Sequence, residues 1–252
     1  MAGPDAVAFP VDANLDEPGT PQSGTGQAAL LTGESTATAF GRHFGPWIPV
    51  SLRPIVEERS FLKEAVDSGK RVAFANAYPK TWPGPRGGRA IAGPPLAARG
   101  AGLMTRHEEA LTVGDAISSE IVNTGWRRYL GHTDVPEITP GEAGANLGRI
   151  ANEHDLTLFA HYSTDTAGHK KEMGPARSAL ERVDRFLGGV FRTVSEGSVL
   201  IVSDHGNVED VRAGHTRNPS LGVLWGRSSS AAPIADLRDV PALVAALVEY
   251  PR

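Results

Sequence analysis

The run Ser203-Asp204-His205-Gly206-Asn207 follows four apolar residues, Val199 to Val202. A carboxylate and an imidazole therefore stand together where a strand ends, and the chain turns at once on glycine. Three further stretches carry groups of the same chemical kind. "QSGTGQAALLTG" (22–33) offers Ser23 or Thr25 just before a helix, "TDTAGH" offers Asp165 and His169, and "GHTRNP" offers His215. Carboxylate oxygen and imidazole nitrogen, in a chain with no cysteine, suit Mn²⁺, Zn²⁺ or Mg²⁺ rather than copper(I) or iron–sulfur. Two such ions about 3.5–4 Å apart can clamp a phosphoryl or sulfuryl group. A serine bound to one of them becomes a nucleophile at neutral pH, and a helix N-terminus beneath it adds N–H donors for an anion.

The elements that must hold these groups can be read from period and punctuation. "GQAALLTG" reads as a short helix from about Gln27, closed by Gly33, and residues 1–22, rich in Pro, Gly and Asp, read as irregular. "FLKEAVDSG" followed by "RVAFANAY" (71–78) makes a helix and a strand. From Pro79 to Ile138 the composition shifts. A Pro/Gly-rich run precedes the helical "HEEALTVGDAISSEIV", and the whole reads as an inserted cap or lid. Thr139, Pro140 and Glu142 form a capping box with proline at the first helical position. A strand over 156–163 follows. An amphipathic helix then places Leu180, Val183, Leu187, Val190, Phe191 and Val194 on one face, with Arg177, Arg182, Arg185 and Arg192 on its wet side. Strands at "SVLIVS" and 221–226 and a last helix capped by Asp239 complete the chain. This alternation predicts an α/β fold, a parallel-rich sheet with helices on both faces. The core comprises 1–78 and 139–252, and 79–138 is the small inserted cap. Ligands of such sheets gather at the carboxyl ends of strands, which brings Asp165, Asp204 and His205 to one edge.

Taken together and in this order, the four stretches resemble the alkaline phosphatase superfamily. The likeness is to its metalloenzyme branch, with cofactor-independent phosphoglycerate mutase and phosphopentomutase. In that branch the nucleophilic Ser or Thr lies ten residues before a glycine. Ser23 and Gly33 keep that spacing, and Gly26 matches an intermediate glycine, which favours Ser23 over Thr25. The resemblance implies one metal held by Asp165, His169 and His215, the last in an "HTxNP" setting, and a second held by Asp204, His205 and Ser23. It covers about residues 20–45 and 155–226. The family's second metal also takes an aspartate from the end of the first strand, in a "DG" setting. No such stretch is legible here, since none of Asp5, Asp12 and Asp16 reads as following an apolar strand. The preferred expectation is a chain that lacks that strand and its Asp; the alternatives are that Asp12 or Asp16 substitutes, or that the second site is degraded.

The activity so implied is phosphoryl transfer on a small phosphorylated metabolite through a phosphoserine on Ser23, as a phosphomutase or phosphohydrolase using two divalent ions. The alternative is a non-catalytic member that binds one metal or an anion. Sulfuryl transfer ranks lower, because sulfatases of the superfamily use a modified cysteine or serine in another motif. Arg42, His43 and Thr25 are candidate substrate-binding groups. Arg86, Arg89, Arg106, Arg127 and Arg128 in the cap are candidate anion holders, and Asn207 and Glu209 could orient the ligands. His107, His132 and His154 read as surface groups, and His161 stands mid-strand. The ordinary alternatives are turn serines, capping aspartates and solvated histidines; it is the order of all four stretches that outweighs them. A formal net charge of −4 with scattered arginines argues against a nucleic-acid partner. The first residues show no signal-peptide pattern and no stretch approaches a membrane span, so a cytoplasmic protein is expected.

Overall fold

The computed structural model describes residues 6–84, 88, 90–226 and 234–252. In chain order, β1 (Ala6–Val11) leads to α1 (Ser23–Thr32) and α2 (Thr36–Phe40), and α3 (Arg53–Arg59) and α4 (Phe61–Asp67) precede β2 (Val72–Phe74). Next come α5 (Gly93–Gly100), α6 (Glu108–Val113), α7 (Thr124–Arg128) and α8 (Pro140–Asn152). The remainder is β3 (Leu156–Leu158), α9 (Ser163–His169), α10 (Met173–Thr193), β4 (Ser198–Val202), β5 (Ser220–Gly226) and α11 (Val240–Val248). The chain is thus mixed α/β. No helix among the described residues is long and apolar enough to cross a membrane.

The strands form two small sheets. β2 and β3 pair in parallel, whereas β5 lies between β1 and β4 and is antiparallel to both. The expected parallel register therefore holds for one pair only. The antiparallel β5 ran against that expectation because strand direction depends on the path of the intervening loops, which local pattern does not encode.

The opening segment corrects a second expectation. Residues 6–11, read as irregular, form β1, and Asp12 follows it directly. Pro10 had argued against a strand. Among the described residues β1 pairs with β5 alone, and at such a sheet edge the missing N–H costs no ladder bond. Because β1 and β4 both run against β5, Val11 lies opposite Ser220 and Val202 opposite Gly222. The carboxyl ends of β1 and β4 thus flank the start of β5. Asp12 and the Asp204-His205 pair share that edge.

Alternation along the short strands divides two cores. Phe74 of β2 and Leu200 and Val202 of β4 join a cluster with Leu31, Val56, Leu62, Leu96, Leu237 and Val244. Their neighbours Ala73, Ala75 and Val199 face a second cluster with Ile150, Phe186 and Val190 of α8 and α10. The period of two in a strand produces this split. Within residues 79–138 the packing differs by part. Ile91, Leu96, Ala97 and Ala98 belong to the first cluster, while Leu111, Ala116, Trp126 and Val135 gather with Ala77 in a third. The run expected to be irregular holds α5, whose first turn takes prolines at no cost in hydrogen bonds. The helix expected across 107–122 ends early at Gly114, in the left-handed conformation. The strand expected over 156–163 is only β3, since α9 begins at Ser163.

α8 opens on the predicted capping box, with Thr139 accepting from the Glu142 N–H and Glu142 from that of Thr139. It packs on α10 so closely that a β-carbon at Gly144 would stand 1.9 Å from the Phe186 carbonyl oxygen. Gly144→Ala should destabilise the fold by about 1–3 kcal/mol through overpacking, although alanine gains about 1 kcal/mol in helix propensity. Denaturant unfolding checks this, and an unchanged midpoint would mean that the helices part without cost. At the sheet's start, Arg71 donates to Asp155 from its backbone N–H at 2.8 Å and from Nη2 at 2.7 Å. These bonds hold the Asp155 carboxyl down at about 2. A depressed carboxylate stabilises the fold above its unfolded pKa of about 4 and loses that contribution as pH falls through the folded value. Asp155→Asn should therefore melt below wild type at pH 7, with the gap closing between about pH 4 and about pH 2.

Candidate metal centre

α1 begins at Ser23, four residues before the expected start, and Gly24 and Gly26 lie inside it. The reason for these glycines is close approach. A β-carbon at Gly26 would lie 2.7 Å from the Asp204 carbonyl oxygen, and one at Gly24 2.2 Å from that of Trp47. With the helix seated there, Ser23 Oγ meets His205 Nε2 at 2.8 Å, across 182 residues of sequence. His205 Nδ1 faces the Gly206 carbonyl at 3.3 Å. A carbonyl only accepts, so Nδ1 carries the proton and Nε2 offers a lone pair to the Ser23 hydroxyl. Ser23 is 8% exposed and the His205 side chain 2%.

The helix N-terminus offers an anion less than expected. The Thr25 N–H is spent on the Phe44 carbonyl at 3.0 Å, and that of Gly26 on Gln22 at 2.9 Å. Thr25 is fully buried, its hydroxyl donating to the Gln22 carbonyl and accepting from the Phe44 N–H.

Beside this pair, Asp165, His169 and His215 place their ligand atoms within 4.8 Å of one another. Asp165 and His169 stand at i and i+4 on α9, hence on one helix face. His215 Nε2 is 3.2 Å from Asp165 Oδ1, and His169 Nε2 is 3.5 Å from Oδ2. The two imidazole Nε2 atoms lie 3.0 Å apart, so they cannot both carry protons there. His215 Nδ1 donates to the Pro21 carbonyl at 2.9 Å, which turns Nε2 inward as a ligand atom. Burial works against charge on Asp165, yet hydrogen bonds from His215 and Asn207 outweigh it and hold the carboxyl below its usual range. Burial likewise opposes charge on His215, but its bonds to Asp165 and Pro21 raise it. The cluster thus favours negative charge on Asp165 and positive charge beside it. Two nitrogens and one carboxylate converge, with an outer hydrogen bond fixing one ring, and this donor set suits a divalent cation.

The centre is continuous. The rings of His205 and His215 stack with centroids 3.9 Å apart, and His205 Nε2 lies 3.8 Å from Asp204 Oδ1 and 3.9 Å from Asp165 Oδ1. Asn207 donates to both the side chain and the backbone carbonyl of Asp165, and its own N–H donates to Glu209 at 2.6 Å. Glu209 also accepts from Thr216 and Asn218, which ties together the two loops carrying His205 and His215. Gln27, which sequence reading passed over, donates to Asp204 Oδ2 at 3.0 Å. The signal that could have found it is its position four residues after Ser23, on the same face of α1.

Among the described residues the other candidates do not join the cluster. Arg42 and His43 line a cleft of about 410 Å³ with Gln22, Gly19 and Phe44. Arg42 stacks over Phe40, and His43 Nε2 faces the Glu17 carbonyl at 3.2 Å. Asp16 pairs with Arg238 at 2.7 Å, away from the centre. Arg106 is bound to Asp115 and Arg127 to the carbonyls of Thr133 and Val135. Arg128 lies over Tyr129, and Arg86 and Arg89 fall outside the described residues. His161 bonds the Ser119 carbonyl and takes no part in the cluster.

Residues 142–246 match the family model of the Metalloenzyme superfamily. The metalloenzyme resemblance is thereby shown over the stretch that holds Asp165, His169, Asp204, His205 and His215, while Ser23 and α1 precede it. Among curated proteins the chain is similar to 2,3-bisphosphoglycerate-independent phosphoglycerate mutases. That of Agrobacterium fabrum is 29% identical over 102 residues, 36% of this chain and 20% of the relative. Those of Cereibacter sphaeroides and Rhodopseudomonas palustris are 27% and 30% identical over 130 and 131 residues, 44% and 46% of this chain and 26% and 25% of theirs. The chain thus spans about a quarter of the length of these relatives.

His215→Ala should weaken the Asp165 site for Mn²⁺ by more than the 10–100-fold that loss of an outer-shell partner costs. Calorimetric titration of the chelated, ion-free chain measures it. An unchanged affinity would remove His215 from the ligand set.

Proposed function

We propose that this chain is a metal-dependent phosphoryl-transfer protein acting on a small phosphorylated metabolite, with Ser23 as nucleophile. The observation that carries the reading is the meeting of Ser23 Oγ and His205 Nε2 at 2.8 Å beside the Asp165, His169 and His215 cluster. The superfamily match over 142–246 and the distant likeness to phosphoglycerate mutases support it. One divalent ion, Mn²⁺, Zn²⁺ or Mg²⁺, would be held by Asp165, His169 and His215, and a second by Ser23, Asp204 and His205. Asp12, at the end of β1 and on the same sheet edge as Asp204, is the residue available to complete the second set. Bound there, such ions supply Lewis acidity, lowering the pKa of a coordinated hydroxyl and neutralising charge on phosphoryl oxygens.

The protein's own groups do the rest. Ser23 Oγ attacks phosphorus, the bond from phosphorus to the ester oxygen breaks, and a phosphoserine forms. Water or a re-bound hydroxyl then attacks that phosphorus, the bond to Oγ breaks, and Ser23 is restored. Which acceptor is used separates hydrolase from mutase. A cap over 79–138 that excluded water would favour the re-bound hydroxyl as acceptor, and mutase specificity does not follow without it. His205, almost wholly buried, holds Ser23 in one orientation. Arg42, which makes no ion pair among the described residues, stands at the cleft beside Gln22, where the anionic part of a substrate would lie. With no basic excess and no membrane span among the described residues, we propose a cytoplasmic protein without a nucleic-acid partner.

A second reading, a member that binds one ion without catalysis, is favoured by Asp12. Its Oδ1 accepts from both the backbone and the side chain of Asn14. Ser23→Ala in the Mn²⁺-loaded protein distinguishes the two. Hydrolysis of p-nitrophenyl phosphate should fall by at least about 10³-fold, the order expected when a nucleophile is removed, with an unchanged melting temperature. Undiminished turnover would take the nucleophile's role from Ser23, and no turnover in wild type with one ion per chain would favour the second reading.

A further inference from the structure

We infer that Gln27 is the positioning residue for Asp204, and that it thereby sets the affinity of the second ion site independently of the first. The inference rests on the di-metal reading above. Gln27 is half-buried on α1, and its amide spans two partners. Oε1 accepts from the Gly93 N–H at 2.8 Å and Nε2 donates to Asp204 Oδ2 at 3.0 Å. The orientation of that amide is not a free choice. A backbone N–H can only donate, so the atom facing Gly93 is the oxygen, and the NH₂ must face Asp204.

The consequence falls on the carboxylate. With Oδ2 held by Gln27, Oδ1 is the oxygen left facing His205 Nε2, at 3.8 Å. Among the described residues no other donor hydrogen-bonds to the Asp204 carboxylate. Gln27 itself cannot swing away. A β-carbon on buried Gly93 would lie 2.8 Å from that of Gln27, so the start of α5 closes over its stem. Ser23 and Gln27 stand at i and i+4 on one rigid helix, so the nucleophile and the group that turns Asp204 keep a fixed spacing. A glutamine serving only to join α1 to α5 would need the Gly93 bond alone. The Asp204 side chain is 23% exposed, and water could have served its oxygen instead.

The test is a two-site calorimetric titration of Mn²⁺ into the ion-free full chain, comparing wild type with Gln27→Met, which keeps length and removes both bonds. The expected result is a second-site Kd raised 10–100-fold, the usual cost of losing an outer-shell partner. The first-site Kd, set by Asp165, His169 and His215, should stay within about twofold and serves as the internal control for folding. Equal weakening at both sites overturns the inference, because Gln27 would then merely hold the fold. Two unchanged sites overturn it as well. A wild-type chain that takes one ion only overturns the di-metal reading and this inference with it, whereas two ions in wild type confine any failure to Gln27.

Discussion

The seating of the first turn of α1 against the backbone of Asp204 is the contact on which the centre depends. Only a residue without a β-carbon allows it at position 26, because any side chain would enter the carbonyl oxygen of Asp204. Ser23 has no other reason to lie near His205, a residue 182 positions away. The helix is short, so its place is set by packing rather than by intrinsic propensity. Its burial of Ala28, Ala29 and Leu31 against the larger core supplies the restoring force. The same seating puts Gln27 against Asp204 and the Pro21 carbonyl against His215. One approach thus links Ser23 to both halves of the candidate metal centre.

Around it, carboxylates and imidazoles are held in order by hydrogen bonds. Asp165 and Asp204 lie close to three imidazoles, and each carboxylate takes a side-chain amide donor, from Asn207 and Gln27 respectively. Amide donors hold a carboxylate without neutralising it, so its charge remains available to a cation. Arginine in the same places would satisfy the oxygens equally well and cancel the charge. The two loops bearing His205 and His215 are joined through Glu209, whose oxygens accept from Asn207, Thr216 and Asn218. The stacking of the His205 and His215 rings follows from that joint.

The sheet contributes geometry rather than bulk. Because β5 runs against both neighbours, the ends of β1 and β4 come out on one side, followed by Asp12 and, after Ser203, by Asp204. β2 and β3 are only three residues long, yet their alternating side chains serve two cores. α8 and α10 cover one of those cores at a separation that only glycine allows. The strands therefore act chiefly as short rulers that fix where loops begin.

What the sequence by itself determined were the features written within a few residues. The capping box at Thr139 and Glu142, the i and i+4 pair of Asp165 and His169, and the Asp204-His205 dipeptide after an apolar run are all local. So is the amphipathic stripe of α10, since side-chain period and capping chemistry act over one or two turns. Tertiary structure alone decided the rest. β1 escaped notice because Pro10 is tolerated only at a sheet edge, and being an edge is a property of the assembled sheet. The role of Gly24 and Gly26 is not written locally, because a glycine needed for contact between backbones is indistinguishable, in one dimension, from a glycine needed for a turn. Strand direction, the commitment of the Thr25 N–H to Phe44, and the clasp of Gln27 on Asp204 all depend on partners far along the chain. Such contacts form only when burial of apolar surface has brought those segments together, and the local pattern carries no record of which ones they will be.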